Sequence, residues 1–180
     1  MSEIAKIELD GTIYELPVVE GSENEKAIDI TKLRELTGYI TLDTGYKNTG
    51  ATKSAITFLD GEEGVLRYRG YSIEELADKA SFMEVSYLLI YGELPTEAEL
   101  TNFETKIKKH TLVHEDMKRF FEAFPAQAHP MGVLSSMVSS LATFYPESLD
   151  PNRSAEAKNL TIQRILAKLP TLSAWSYKNS

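Results

Sequence analysis

Three helix-start signatures follow one another between Ser72 and Glu99. Ser72-Ile73-Glu74-Glu75, Ser81-Phe82-Met83-Glu84 and Thr96-Glu97-Ala98-Glu99 each place a hydroxyl residue three positions before a glutamate. In such a box the hydroxyl accepts a backbone N–H of the first turn, and the glutamate reaches back to the N–H of the capping residue. A chain punctuated this densely builds short successive helices. Just upstream, the β-formers Ile56, Phe58, Val65, Leu66 and Tyr68 flank Asp60-Gly61-Glu62-Glu63-Gly64. Asp and Gly supply the turn conformations that close a tight hairpin.

The rest of the chain extends this pattern. Residues 4–19 alternate around Asp10-Gly11 and predict a small hairpin. A polar loop at 21–26, a short helix at 28–36 closed by Gly38, and a short strand at 39–42 are expected next. The segment 43–54, DTGYKNTGATKS, reads as a loop. The helix 82–91 is apolar on nearly every side and is expected to be central and buried. Leu100, Phe103 and Ile107 form the inner stripe of a helix over 97–110, whose last turn carries Lys106, Lys108 and Lys109. A helix at 115–124 stops at Pro125, and Pro130 opens a charge-poor, serine-rich helix to residue 144. Asp150-Pro151 reads as a cap and first-turn pair for a helix over 155–169. Pro170 is expected to kink or restart that helix before Leu172, Ala174, Trp175 and Tyr177.

The expected class is mainly α, with a β-rich region and loop at 1–54 and a helical part at 55–180. The chain stops at Ser180 directly after an apolar segment, which reads as a cut through a domain.

A net charge of −8 argues against general binding to nucleic acid or an anionic membrane. No run approaches the roughly 18 apolar residues of a membrane span. The absence of cysteine removes disulfides and thiolate metal sites and fits a cytoplasmic protein. His110 and His114 are four apart, but the order HTLVHE is not that of zinc hydrolases, and no third ligand stands at a useful spacing. They read as helix-end histidines, and His129 before Pro130 reads as structural. Serines 135–140 lack a nucleophile elbow, and the glycines form no phosphate loop. The residues therefore assign no acid–base pair and no metal. One constellation remains. Lys106, Lys108, Lys109 and His110 cluster at a helix end, Arg164 and Lys168 share a later helix face, and Tyr145 ends the helix between. Converged, they would form a cationic pocket with an aromatic lid, suited to a phosphate-bearing ligand. Scattered, they would be solvated surface charges.

The segments GEEGVLRYRGYSIEELA, EVSYLLIYGELPT, HTLVHE, HPMGVL and AKLPTLSAWSYK, in this order and spacing, resemble the amino-terminal part of citrate synthase. The N-terminal β region resembles that of the bacterial type II, hexameric, NADH-regulated group. 2-Methylcitrate synthase shares much of the pattern, and a non-enzymatic helical interaction or regulatory module is the reading from another class. The resemblance implies the citrate synthase large domain, almost all α. It implies a homo-oligomer, a dimer or trimer of dimers, joined through helices 130–145 and 155–177. The implied reaction condenses acetyl-CoA with oxaloacetate and water to citrate and CoA, the first step of the tricarboxylic acid cycle. The family's catalytic aspartate, histidines and arginines have no counterpart at matching positions here, so this chain is expected to be inactive alone. The resemblance also implies an allosteric NADH site formed by Lys109, His110, Thr111, Tyr145, Arg164 and Lys168. Lys109 stands where the family pattern has Arg, keeping the charge without the bidentate geometry, and Leu112 stands where it has Met.

Overall fold

The computed structural model describes residues 3–178. The chain divides into two compact units, Met1–Ala55 and Ile56–Ser180.

In the first unit, β1 (Ile4–Leu9) and β2 (Thr12–Glu20) pair antiparallel, with Leu9 opposite Thr12. Asp10 and Gly11 both adopt positive φ, 49° and 75°. This is the backbone twist that a two-residue hairpin loop demands. A third strand, β3 (Lys26–Ile28), pairs with the end of β2. Residues 26–28 were expected as the end of a loop and the start of a helix. They form a strand because Val18, Val19 and Glu20 leave an edge that Lys26–Ile28 completes. Helix α1 is correspondingly short, Leu33–Thr37, and Gly38 ends it in the left-handed conformation. Residues 39–42 form no strand. Tyr39 instead donates its hydroxyl to Asp10 (2.8 Å), and Ile40 and Leu42 lie exposed. Leu16 and Leu33 are the buried hydrophobic residues of this unit among those described.

In the second unit, β4 (Thr57–Asp60) and β5 (Val65–Tyr68) form the expected hairpin. The Asp60 carboxylate accepts the N–H groups of Glu62 and Glu63, and Gly64 supplies the positive φ. A two-residue strand, β6 (Tyr71–Ser72), extends the sheet after a turn at Arg69-Gly70.

Helices α2 (Ile73–Lys79), α3 (Phe82–Tyr91) and α4 (Glu97–Lys109) begin at the three boxes. Ser81 with Glu84 and Thr96 with Glu99 are reciprocal. At Ser72 only the hydroxyl half forms, because the Glu75 carboxylate turns toward Lys79 at 3.5 Å. Helix α5 occupies Met117–Glu122, shorter than 115–124. Helix α6 (Pro130–Phe144) leads through a 3-10 turn (Pro146–Leu149) to α7, Ala155–Lys178. Ser154, not Asp150, caps α7, its hydroxyl accepting the Ala157 N–H at 3.2 Å. Asp150 instead accepts the Asn152 N–H within the loop.

Pro170 neither stops nor restarts α7, which is helical on both sides of it. The helix continues because the residues beyond the proline are committed to the core. Leu172 is fully buried among Met117, Phe121, Val133, Met137 and Leu141, and Trp175 stands edge-on to Phe121 with centroids 5.5 Å apart. One turn before the proline, Ala167 packs with Phe103 and Ile107 of α4. Helix α7 therefore joins both clusters of the core. It shares the central role expected of α3, whose Met83, Tyr87 and Ile90 pack against the second cluster. Among the described residues α3 buries only Ser86 and Leu88 below a tenth exposure, while Phe82 is 75% and Tyr91 42% exposed. Residues 83–90 are all partly or fully buried, so α3 is covered along its middle and exposed at its two ends. The resulting class is mainly α with two small sheets.

Candidate functional site

The site lies where the end of α6, the end of α4 and the middle of α7 meet. Pro146 disfavours helical backbone at the residue before it, and the chain leaves the helix at Tyr145, whose N–H still bonds the Leu141 carbonyl. The Tyr145 ring is thereby placed against α7. Arg164 lies over it with Cζ 4.3 Å from the ring centroid, and Lys168, one turn on, has Nζ 5.6 Å from it. Cations over a tyrosine face are held by the ring quadrupole. Beside them opens a cavity of about 120 Å³. Its walls are Val138, Leu141 and Ala142 of α6 and Ile165 of α7, with the hydroxyl-bearing Ser148 and Thr161 at its margin.

Lys168 is 3% exposed. Its ammonium donates to the main-chain oxygens of His110 (2.7 Å) and Leu112 (2.5 Å), just past the end of α4. A helix C-terminus leaves carbonyls without intrahelical partners, and a cation is favoured there. Two of the three donors of Lys168 are thus spent on the backbone. Arg164 is more open. One guanidinium N–H donates to the Glu147 carboxylate, which stands on the 3-10 turn directly after Tyr145. That contact holds the Glu147 carboxyl below its ordinary pKa.

His110 is the C-cap of α4 and partly buried. Burial pushes its imidazole pKa down first, and the positive charges of Arg164, Lys168 and Lys109 push it further. The ring is therefore neutral at pH 7, able to donate from one nitrogen and accept at the other. Thr111 is exposed and spends its hydroxyl on the Lys108 carbonyl at 3.1 Å. Lys109 is exposed and acts on the site through its charge. The structure thus brings His110, Tyr145, Arg164 and Lys168 into one cluster and leaves Lys109 and Thr111 at its rim.

Two cations of the sequence cluster go elsewhere. Lys108 pairs with Glu104 at 2.9 Å. Lys106 lines a separate polar cavity with Tyr87, Tyr91, Asn102, Asn159 and Gln163. Sequence reasoning missed Glu147, whose pairing spans a loop with no periodicity to announce it. It also missed the carbonyls that Lys168 serves, because backbone acceptors leave no residue signature.

The other histidines have structural partners. His129 Nδ1 accepts the Met131 N–H at 3.2 Å and so caps α6. His114 Nδ1 accepts the Asp116 N–H, and its ring packs on Phe144 with centroids 4.9 Å apart. Among the described residues no group of three His, Cys, Asp or Glu is placed to hold a metal ion, and no helix is long and apolar enough to cross a membrane. The arrangement gathers two cations and an aromatic face beside one cavity.

Residues 45–180 match the family described as "Citrate synthase, C-terminal domain". Over 176 residues the chain is 48% identical to citrate synthase 1 of Mycobacterium tuberculosis, covering 98% of this chain and 41% of that protein. It is 45% identical over 174 residues to the citrate synthase of Corynebacterium glutamicum, covering 97% and 40%. Among solved structures, citrate synthase from Pyrobaculum aerophilum is similar with a TM-score of 0.65 at 31% identity, over 91% of this chain and 38% of that one. A ternary complex of the Thermoplasma acidophilum citrate synthase shares the fold, with a TM-score of 0.68 at 22% identity over 77% and 36%. The chain spans about two fifths of the length of the curated relatives it matches.

Proposed function

The chain belongs to the citrate synthase family, and from that premise we propose that it is the amino-terminal part of the large domain of an enzyme condensing acetyl-CoA with oxaloacetate and water to citrate and CoA. The carrying observation is identity of 45–48% running through 97–98% of this chain. A match of that extent reaches both compact units, whereas a shared helical scaffold alone would leave side chains free to differ. The contribution of this segment is architectural and regulatory. The family's catalytic aspartate, histidines and arginines have no counterpart at matching positions of this chain, which supports placing the condensation chemistry in the remainder of the enzyme.

The finer reading is a cytoplasmic enzyme of the bacterial type II, hexameric, NADH-regulated group. We propose that the Tyr145 cluster binds NADH as an allosteric inhibitor. Tyr145 would face the ligand, Arg164 would meet phosphate, and neutral His110 would exchange hydrogen bonds with it. Lys109 and Thr111 at the rim would complete the contact. Lys168 would act mainly by holding the 110–112 segment in place. Support comes from the convergence of these groups beside a cavity. Assembly as a homo-oligomer through 130–145 and 155–177 is proposed on the same footing.

Two measurements test the reading. The enzyme containing this segment should release CoA thiol faster with acetyl-CoA than with propionyl-CoA when oxaloacetate is present. A preference for propionyl-CoA would assign it to 2-methylcitrate synthesis instead. NADH titration should show weaker binding for Tyr145→Ala than for wild type, and equal binding would remove the site.

A further inference from the structure

The cluster that faces Tyr145 has one cation with an edge to offer. Lys168 is buried and committed to two carbonyls. Arg164 has its guanidinium carbon over the Tyr145 ring, 4.3 Å from the centroid, and its N–H groups define what binds. One of those N–H groups is already taken by the Glu147 carboxylate. We propose that Glu147 is a built-in occupant of this anion site, holding the Arg164 donor edge that a ligand phosphate would take and so determining which anions can enter. This rests on the reading of the cluster as a site for a phosphate-bearing ligand.

Geometry, mobility and selectivity all bear on this role. Glu147 lies on the 3-10 turn Pro146–Leu149, two residues after the tyrosine whose ring supports Arg164. The same turn that places the aromatic face delivers the carboxylate to the cation. The second is mobility. The Glu147 side chain is 56% exposed against 21% for Arg164. Glu147 can rotate into water with its charge solvated, whereas Arg164 is held between ring and helix. An ion pair of this exposure changes an equilibrium by only up to about fivefold. It is a competitor, not a lock.

The third is selectivity. A ligand carboxylate would replace one carboxylate by another and gain no charge. The resident carboxylate, being tethered, competes at a high effective concentration. The diphosphate of NADH or ADP brings at least two charges and several non-bridging acceptor oxygens, so it can take the guanidinium edge in bidentate fashion and still gain. Glu147 therefore biases the site toward phosphate esters and against monocarboxylates. The bias is constant through neutral pH. Arg164 holds the Glu147 carboxyl below its ordinary value, so it stays ionised there.

The test is a set of titrations of the protein with NADH and with ADP, each repeated in the presence of acetate. The proteins compared are wild type, Glu147→Gln and Arg164→Gln. Glu147→Gln keeps the side-chain shape on an exposed turn, and an unchanged melting temperature would show that the fold is intact. The expected result is that Glu147→Gln binds NADH and ADP up to about fivefold more tightly than wild type. Acetate should compete measurably only in that variant. Arg164→Gln should lose binding of both nucleotides. Equal or weaker nucleotide binding by Glu147→Gln, with binding lost in Arg164→Gln, would overturn the occupant role and leave the site standing. Failure of wild type and Glu147→Gln alike to bind either nucleotide would overturn the phosphate site, and the occupant role with it.

Discussion

The Lys168 ammonium, 3% exposed, donates to the main-chain oxygen of His110 at 2.7 Å, tying the middle of α7 to the end of α4. The second bond, to Leu112, makes this a latch on the whole 110–112 segment. Hydrogen bonds from a charged donor are strong, and losing one leaves buried acceptors uncompensated. Lys168→Met should therefore destabilise the protein by about 2–3 kcal/mol in denaturant titration. A loss below about half a kcal/mol, the ordinary scale for surface substitutions, would show that the latch is not structural.

The capping boxes differ in completeness, and their energetics should differ in step. Ser81 and Glu84 exchange both bonds, whereas Ser72 caps α2 with the hydroxyl alone. Ser81→Ala should cost about 1 kcal/mol, near the centre of the N-cap range. Ser72→Ala should cost less, and Glu75→Ala should have little effect beyond its exposed pair with Lys79. Thermal melts of the three variants would check the order. An equal loss at Ser72 and Ser81 would mean that the reciprocal glutamate contributes nothing.

Acidification should weaken the fold in two separate windows. The His110 pKa is lowered from its ordinary 6.5 by burial and by neighbouring cations. Below 6.5 the unfolded state binds this proton first, so stability rises with pH there and falls as pH drops toward the folded value. Glu84 and Glu99 are lowered from 4.5 by their hydrogen bonds at the caps, so their contribution is present above 4.5 and is lost at more acid pH. Denaturation midpoints measured from about pH 2 to 8 should show a decline beginning near 6.5 as pH falls. His110→Gln should remove that decline and leave the more acid one. A variant profile identical to wild type would contradict the assignment.

The sequence disclosed elements wherever the signal was local. The boxes at Ser81 and Thr96, the Asp10-Gly11 turn, and Pro130 opening α6 each depend on residues a few positions apart. Strand β3 was missed because a three-residue strand takes its identity from the edge of β2. The exposed ends of α3, Phe82 and Tyr91, were not legible for a related reason, since composition tells how apolar a helix is but not where its partners reach. At the site, the shared face of Arg164 and Lys168 and the position of Tyr145 were legible from spacing and from a helix end. Their division of labour was not. Burial sends Lys168 to backbone carbonyls, and a loop delivers Glu147 to Arg164, and neither leaves a pattern in the chain.

Helices α6 and α7 carry exposed apolar residues, including Met131 at 63%, Ile165 at 41% and Tyr177 at 77% exposure. Apolar surface left on the helices proposed for the interface favours association. Sedimentation at tens of micromolar, a range that detects weak interfaces of roughly micromolar affinity, should show self-association. Tyr177→Glu and Ile165→Glu should weaken it. A single monomeric boundary at every concentration would contradict the assignment of 130–145 and 155–177 to a subunit interface.

The most direct test of the account is CoA thiol release from acetyl-CoA and oxaloacetate, measured in parallel for residues 1–180 alone and for the enzyme containing them. The expected result is no turnover above background for 1–180 and clear turnover for the longer enzyme. Turnover by 1–180 alone would place the chemistry within this segment and contradict the division of roles. An inactive longer enzyme would contradict the citrate synthase reaction itself.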